Sequence, residues 1–344
     1  MISSLKPVLD ILGMPQAQFM VPVFQRVYSW DRVQCRQIWK DVIHAGADGK
    51  DHFAGTLIYR EEGPEEAPTE HGANAQALSR FSIIDGQQRL TTTTLLIAAL
   101  RDKLRSMGET RRADELDGRY LHAAPAVLKL VLSSEDAGTL EHIIDKKGLP
   151  PDVEPSKLLV ENHKLFAESL ASSDADIEAV MQGLSRLKVV AVELDDGDSP
   201  QQVFESLNTK GRPLSTIDLL RNMLISEYGY DEQERLLDAY WAPIEEAFGQ
   251  FGKEKDLYLD AALHCWMSKT SPGLRASKRS GLYQAFKAYF EHRSAQSLEA
   301  ALSSINAECL RFASDPSSPE AKAHIDWAIE KPTGSMRQKR LFGD

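Results

Sequence analysis

The stretch 81–94, FSIIDGQQRLTTTT, constrains the fold more than any other part of the chain. Residues of strand character, FSIID, stop at Gly86. The spacing of Leu90, Thr94, Ile97 and Leu104 then predicts a helix through QQRLTTTTLLIAALRDKLRSM, buried along one face. A strand that turns straight into a helix belongs to a layered fold of sheet and helices. Free N–H groups and the positive end of the helix dipole meet at that turn, which suits an anion. Gly86 lets a phosphate approach the backbone, Gln87, Gln88 and Arg89 add donors, and Asp85 can hold Mg²⁺ or orient a water. No GxxxxGK[ST] occurs, so this is not a P-loop. The same residues also describe a capped turn whose Gln and Arg pack on neighbours.

Two further segments carry candidate chemistry. Phe19, Val21 and Val23 alternate in QFMVPVFQR, a strand pattern ending at Gln25 and Arg26, with Tyr28 and Trp30 just beyond. An Arg beside aromatics can clamp phosphate or stack on a base; the plainer reading is a surface Arg next to core rings. In FESLNTKGRPLSTIDLLRN, Asn208, Thr209 and Gly211 can wrap a phosphate or a base edge, or mark an ordinary helix stop. Ser215 or Thr216 is the expected cap of the helix that follows.

The rest of the chain sets the organisation. HFAGTLIYR and LKVVAVELDD read as strands, and DRVQCRQIWKDVIHA as a helix capped by Ser29 or Asp31 that buries Cys35, Ile38, Trp39 and Val42. EEGPEEAPTEHGANAQ reads as a mobile loop. Residues 109–186 are expected to be helical with breaks at prolines, and the chain from Asp231 onward is helical around SKTSPGLRASKRSG. The expected architecture is α+β: a small mixed sheet built from residues 1–108 and 187–227, a helical insertion at 109–186, and a helical domain at 228–344. With 344 residues, room exists for about two domains.

Composition excludes several classes. Lys plus Arg total 40 against 51 Asp plus Glu, a net −11, which argues against a protein that coats nucleic acid. Three scattered cysteines without a CxxC pair exclude a disulfide framework or structural zinc site and fit a reducing cytoplasm. No apolar run reaches membrane-spanning length, and residues 1–14 lack signal-peptide character. The acids of ELDDGDSP (Glu193, Asp195, Asp196, Asp198) read as a solvated turn more readily than as a cation site. Arg275, Lys278 and Arg279 are the clearest basic cluster, a DNA contact or a solvated loop. Tyr283, Phe286 and Phe290 share a helical face and read as core. His142 and His324 read as helix-surface histidines.

Taken together, the first three segments resemble the N-terminal domain of GmrSD-type restriction proteins (domain of unknown function 262, of the ParB/sulfiredoxin-like group). The likeness rests on four blocks in order. Pro22, Gln25, Arg26, Tyr28 and Trp30 match the P-x-x-QR-x-Y-x-W entry, offset by one residue, and Phe53-Ala-Gly55 matches F-x-G. Ile84 to Thr92 matches IDGQQRLTT, and Phe204 to Leu219 matches the LNT-x-G block; KLVLSSEDAG is also similar. The resemblance implies a ParB/sulfiredoxin-like sheet carrying a Mg²⁺-dependent nucleoside-triphosphate hydrolase, for GTP or another triphosphate. In that reading Asp85, Gln87, Gln88 and Arg89 are catalytic, with Asp85 on the metal. Gln25, Arg26, Gly86, Thr91, Thr92, Asn208, Thr209 and Gly211 bind nucleotide, and Tyr28, Trp30, Arg275, Lys278 and Arg279 are offered to DNA. It implies a cytoplasmic sensor of modified DNA in phage defence, working with a nuclease domain or subunit. The alternative is a nucleotide-bound switch that does not hydrolyse. A His-Asn-His nuclease domain, which many relatives append, is not expected here, so no nuclease activity is assigned to this chain alone. Gln replaces the sulfiredoxin-type cysteine in DGQQR, which disfavours sulfur reduction.

Overall fold

A computed structural model describes residues 1–23, 25–65, 78–149, 154–172, 175–195, 197, 198, 203, 215–225, 228, 230–290 and 295–329. The chain divides into two units, Met1–Leu207 and Asn208–Asp344.

The first unit is built on a six-stranded mixed sheet. In chain order it contains β1 (Ile2–Pro7), α1 (Val8–Leu12), β2 (Ala17–Met20), α2 (Arg32–Asp48), β3 (His52–Glu65), β4 (Leu78–Asp85), α3 (Gln87–Ser106) and α4 (Thr110–Leu116). There follow β5 (His122–Ala124), β6 (Val127–Leu128), β7 (Leu130–Val131), α5 (Ser134–Asp145), α6 (Lys157–Ala171), α7 (Ile177–Arg186) and β8 (Leu187–Leu194). The sheet order is β1-β8-β3-β4-β2-β7, while β5 and β6 form a separate hairpin. β3 runs antiparallel to β4 and parallel to β8, and β2 runs parallel to both β4 and β7.

One face of the sheet supplies Phe19, Leu57, Tyr59, Phe81, Ile83, Val189 and Ala191 to the main core. Phe19, Tyr59 and Phe81 meet there with ring centroids 5.4 to 6.2 Å apart. α3 runs through this core. Thr91–Leu100 is buried on every side, because the helix packs against α4 and α6 as well as the sheet. The expectation of a single buried face is corrected by that second layer. On the other face Ile58, Ile84, Val192 and Leu194 form a smaller cluster against which Val203 packs.

α2 begins as expected. Asp31 is the cap, accepting from Val33 N at 2.7 Å while the Gln34 side chain accepts from Asp31 N at 2.9 Å, a reciprocal capping box. Other expectations need adjustment. The strand predicted over QFMVPVFQR stops at Met20. The acidic run expected to be a loop begins as strand: Glu61, Glu62 and Glu65 pair with Phe81, Arg80 and Leu78, and its remainder, 66–76, lies outside the described residues. The stretch 109–186 is not purely helical, since β7 enters the main sheet beside β2. β1 had no sequence signal; it pairs with β8, and the Met1 ammonium pairs with Asp195 and Asp198, which accounts for two acids of ELDDGDSP. Asp196 lies outside the described residues.

The described residues of the second unit contain α8 (Thr216–Ile225), α9 (Tyr230–Leu236), α10 (Ala242–Gly249), α11 (Lys255–Thr270), α12 (Leu282–Phe290), α13 (Ala295–Ser314) and α14 (Pro319–Ala328), and no strand. Ser215 caps α8: its hydroxyl accepts from Asp218 N and donates to the Asp218 carboxylate at 2.7 Å. Tyr283, Phe286 and Phe290 are buried as expected. His324 is half-buried on its helix; its Nδ1 lies 2.8 Å from His264 Nδ1, and His264 stacks on Trp327 at 3.6 Å. Cys35, Cys265 and Cys309 are free and buried. Among the described residues no helix is long and apolar enough to cross a membrane.

Candidate functional site

β4 ends at Asp85, opposite Ile58 of β3, and the chain then reverses through Gly86 at φ 95°. A Cβ on Gly86 would sit 2.9 Å from the Thr56 carbonyl oxygen and 2.8 Å from Leu57 Cδ1, so the turn is packed onto β3 and needs glycine. The first intrahelical bond of α3 is Leu90 N to Gly86 O at 3.0 Å. The N–H groups of Gln87, Gln88 and Arg89 therefore precede the helical ladder, at the positive end of the helix dipole.

Arg89 crosses from this turn to β3. Its Nη1 donates to Thr56 O at 2.6 Å, and its guanidinium lies over Gly55, where a Cβ would be 2.4 Å from Nη2 and 2.7 Å from Cζ. Gly55 itself has φ 109° and lies where the β3–β8 register shifts between Phe53 and Thr56. A local bulge thus frees a carbonyl for the guanidinium and clears the space it fills. F-x-G and DGQQR are parts of one contact.

Gln25 and Arg26 approach Asp85 from the other side. β2 lies parallel to β4, so the chain leaving Met20 emerges at the same end of the sheet as Asp85. The Gln25 amide donates to Ile83 O at 2.5 Å and to Ile84 O at 3.1 Å. Its Oε1 is buried with no partner among the described residues. Burial raises the Asp85 carboxyl above the usual Asp range; the Gly86 N–H, Arg89 and Arg26 act against that rise. Burial likewise lowers the Arg89 guanidinium, and Asp85 opposes it. The cluster is one acid between two cations, half-buried, beside the helix-start N–H groups that precede the ladder. Such a group can hold a polyanion with a single carboxylate left to orient water or a metal. Asp85 fits a Mg²⁺ ligand in that sense, since Mg²⁺ commonly takes one protein carboxylate and completes its shell with phosphate and water.

Gln88 follows the plainer reading of this turn, in which its amide packs on neighbours. Its Oε1 accepts from Ser29 N at 2.8 Å and Trp30 N at 3.2 Å, and its Nε2 donates to Val27 O at 3.2 Å. The amide is spent on a strap of irregular backbone, Val27–Trp30, and is not a free phosphate donor. Gln87 is half-buried on the same turn.

Tyr28, offered to DNA from sequence, is interior. It is 5% exposed, and its hydroxyl lies 2.7 Å from Thr92 Oγ1 and 3.2 Å from the Asn162 amide, with burial holding the phenol above its ordinary pKa. Thr91 and Thr92 are buried as well, and Thr92 also donates to Gln88 O at 2.8 Å, so these side chains brace the core. Trp30 is half-buried and packs on the core. Arg275 and Lys278 are exposed in the second unit, where Arg279 is paired with Asp260 at 2.5 Å. Asn208, Thr209 and Gly211 lie outside the described residues; Val203, five residues before Asn208, packs against the cluster that contains Ile84.

Sequence reasoning missed Asp136 and Asn162. Both are buried polar residues at the strap, and the signal available was a carboxylate or amide inside an otherwise apolar helical pattern. An open cavity of about 460 Å³ lined by Asp117, Gly118, His122 and Ala123–Ala126 shares no residue with the Asp85 cluster.

No curated protein matches the chain by sequence. A family profile described as GmrSD restriction endonuclease, N-terminal domain, matches residues 8–225, a span that contains the bulge at Gly55, the Asp85–Arg89 turn and the strap. The chain belongs to the family of GmrSD restriction endonuclease N-terminal domains, and its role is in a restriction system.

Proposed function

We propose that the first unit is a nucleoside-triphosphate hydrolase that serves as the sensing and regulatory part of a modification-dependent DNA restriction system. The observation that supports it most is the convergence of Asp85, Arg26 and Arg89 at the N–H groups opening α3, which precede the helical ladder. Phosphate oxygens would be held by those N–H groups and by the two guanidinium groups, leaving Asp85 to orient the attacking water. Mg²⁺, held by Asp85, would supply neutralisation of phosphate charge. Catalysis of this kind is positioning and charge compensation, with little covalent work by the protein.

The cost of holding Arg89 is met before any ligand arrives, because Thr56 O fixes the guanidinium over Gly55. Preorganised donors gain most in a half-buried site of lowered dielectric. Asn208, Thr209 and Gly211 are proposed to contact nucleotide on the basis of the family motif alone. Modified DNA and a nuclease domain or subunit are the proposed partners, and Arg275 and Lys278 the proposed DNA contacts in the second unit.

The test is direct. Purified protein is mixed with each of the four ribonucleoside triphosphates and Mg²⁺, with and without modified DNA, and both binding and phosphate release are followed. Release that is lost in Asp85→Ala and Arg89→Ala, with unchanged far-ultraviolet circular dichroism, is the expected result. Binding without release would replace hydrolysis by a switch; wild-type turnover in both variants would end the proposal.

A further inference from the structure

The strap that presents Gln25 and Arg26 has no ladder of its own, and side chains from three helices take its backbone. Gln88 of α3 holds Val27 O, Ser29 N and Trp30 N. Asp136, in the first turn of α5 and 3% exposed, accepts from Tyr28 N at 2.6 Å. Asn162 of α6, fully buried, donates to Trp30 O at 2.8 Å and to the Tyr28 hydroxyl at 3.2 Å. Tyr28 then reaches Thr92 of α3 at 2.7 Å, closing the set.

Backbone groups withdrawn from water in an irregular segment need partners, and here side chains supply them at a strap that is itself only partly buried. Any partner would satisfy that need, yet those found come from different helices. α5 and α6 lie far along the chain from residue 28 and contribute no side chain to the Asp85 cluster. Besides packing on α3, they reach the site through the strap. The N-terminal end of the strap carries Gln25, whose amide is docked on Ile83 O and Ile84 O, immediately before Asp85. A shift of α5 or α6 would act on the strap, and so on Gln25 and Arg26, through the Asp136–Tyr28 and Asn162–Trp30 hydrogen bonds.

We infer that Asp136 and Asn162 are positioning residues of the candidate site, and that the helical stretch bearing them regulates it by setting where the strap places Arg26. This rests on the proposed nucleotide site. The strap is a two-ended link: it transmits movement of α5 and α6 inward, and by reciprocity nucleotide binding changes the free energy of whatever docks on those helices.

The experiment is a double-mutant cycle on the full chain. Asp136→Ala, Asp136→Asn, Asn162→Ala and Arg26→Ala are made singly, and the first three are also combined with Arg26→Ala. GTP and ATP with Mg²⁺ are the probes for binding and phosphate release, and 5-fluorotryptophan labelling reports the environment of Trp30. Loss of one charge-assisted hydrogen bond predicts about a tenfold fall in kcat/KM for Asp136→Ala. Asp136→Asn, which keeps an acceptor oxygen, stays within about threefold of wild type. With Arg26 already removed, Asp136→Ala adds less than about twofold, since neighbours that act through one another are not additive. The Trp30 fluorine resonance moves in Asp136→Ala and returns in Asp136→Asn. Should Asp136→Ala fail to fold, Asn162→Ala is read in the same way.

A full, additive effect of Asp136→Ala on the Arg26→Ala background overturns the inference, as does an unmoved Trp30 resonance. Wild-type protein that neither binds nor hydrolyses either nucleotide overturns the proposed function instead, and the fluorine measurement then decides the strap by itself.

Discussion

Arg89 lies across Gly55 so closely that a methyl group there would stand 2.4 Å from its Nη2. The contact joins two motifs 34 residues apart and makes a small residue in one a condition for the charge in the other. The neighbour that would have to give is the end of a flexible side chain, so a larger residue displaces the guanidinium more than it breaks the core. Gly55→Ala is expected to cost about 1–3 kcal/mol, from its φ of 109°, and to weaken nucleotide binding as much as Arg89→Ala does. Urea unfolding and equilibrium binding, measured on the same preparation, check the two parts. Unchanged binding in Gly55→Ala would show that Arg89 does not act from this position.

The α2–α7 crossing is tighter still, and there the obstacle is backbone. A Cβ on Gly46 would be 1.9 Å from the Ala179 carbonyl oxygen, and one on Gly183 would be 1.9 Å from that of Val42. Neither carbonyl can swing away without moving its helix. Gly46→Ala and Gly183→Ala should each destabilise the first unit by about 3 kcal/mol, near the upper end for overpacking. Thermal unfolding reads the loss, and a change below about 0.5 kcal/mol would mean that the helices stand further apart in solution.

Gln88→Ala tests the division of labour inside DGQQR. Three strap groups lose their partner, a cost of about 2–4 kcal/mol if they are left unsatisfied. The expected signature is a lower unfolding midpoint together with weaker nucleotide binding, whereas Arg89→Ala weakens binding with little effect on stability. A Gln88→Ala protein as stable as wild type would return Gln88 to the role of a ligand.

Asp85 gives a pH prediction. Its carboxyl titrates above the usual Asp range, because burial outweighs the Gly86 N–H, Arg89 and Arg26. The ionised form is the active one in the proposed mechanism. Activity therefore rises with pH through the folded-state pKa, and the acid limb of kcat/KM is displaced upward from that of an exposed Asp. A limb at the ordinary Asp position would exclude Asp85 as the titrating group.

His264 gives a second, with a window. It is pushed down to about 4 by burial, by His324 and by Arg275, from an ordinary value of 6.5. A histidine held neutral in the fold protonates first in the unfolded chain, so stability is full above about 6.5 and falls as pH drops towards 4. The slope is at most about 1.4 kcal/mol per pH unit for each such group. His163, also lowered to about 4 by burial, adds to the fall in the first unit. His264→Phe, which keeps the stack on Trp327, should flatten the acid side of the second unit's stability curve. An unchanged curve would assign the acid loss to other groups.

The turn at 81–94 was legible because its signals are local: an apolar strand, an Asp-Gly reversal and a helical period occupy consecutive residues. α2 was legible for the same reason, down to the candidate cap Asp31. β1 was not, since ISSLKP neither alternates cleanly nor buries a face; Ile2 and Leu5 are 63% and 62% exposed, and the strand exists through its ladder with β8. The full burial of α3 was invisible because Thr91–Thr93 fall off the face marked by Leu90, Thr94, Ile97 and Leu104, and it takes the packing of α4 and α6 on α3 to make them interior. The site residues were found by type and motif, but their roles were not. Whether Gln88 meets a phosphate or a strap depends on residues 27–30, about sixty positions away, and the choice between a DNA contact and a core ring for Tyr28 is made only when Asn162 and Thr92 are placed against its hydroxyl.

β7 is only two residues long, yet it has a consequence for anyone shortening this protein. Phe19 N and Val21 N donate to Lys129 O and Val131 O, so the stretch between α3 and β8 supplies the terminal rung of the central ladder. Excising 109–186 as a removable module would strip β2 of that rung and leave a raw, apolar border where Phe19 is now sealed. Domain swaps between relatives should accordingly exchange the whole of residues 1–207, with the seam placed outside the sheet.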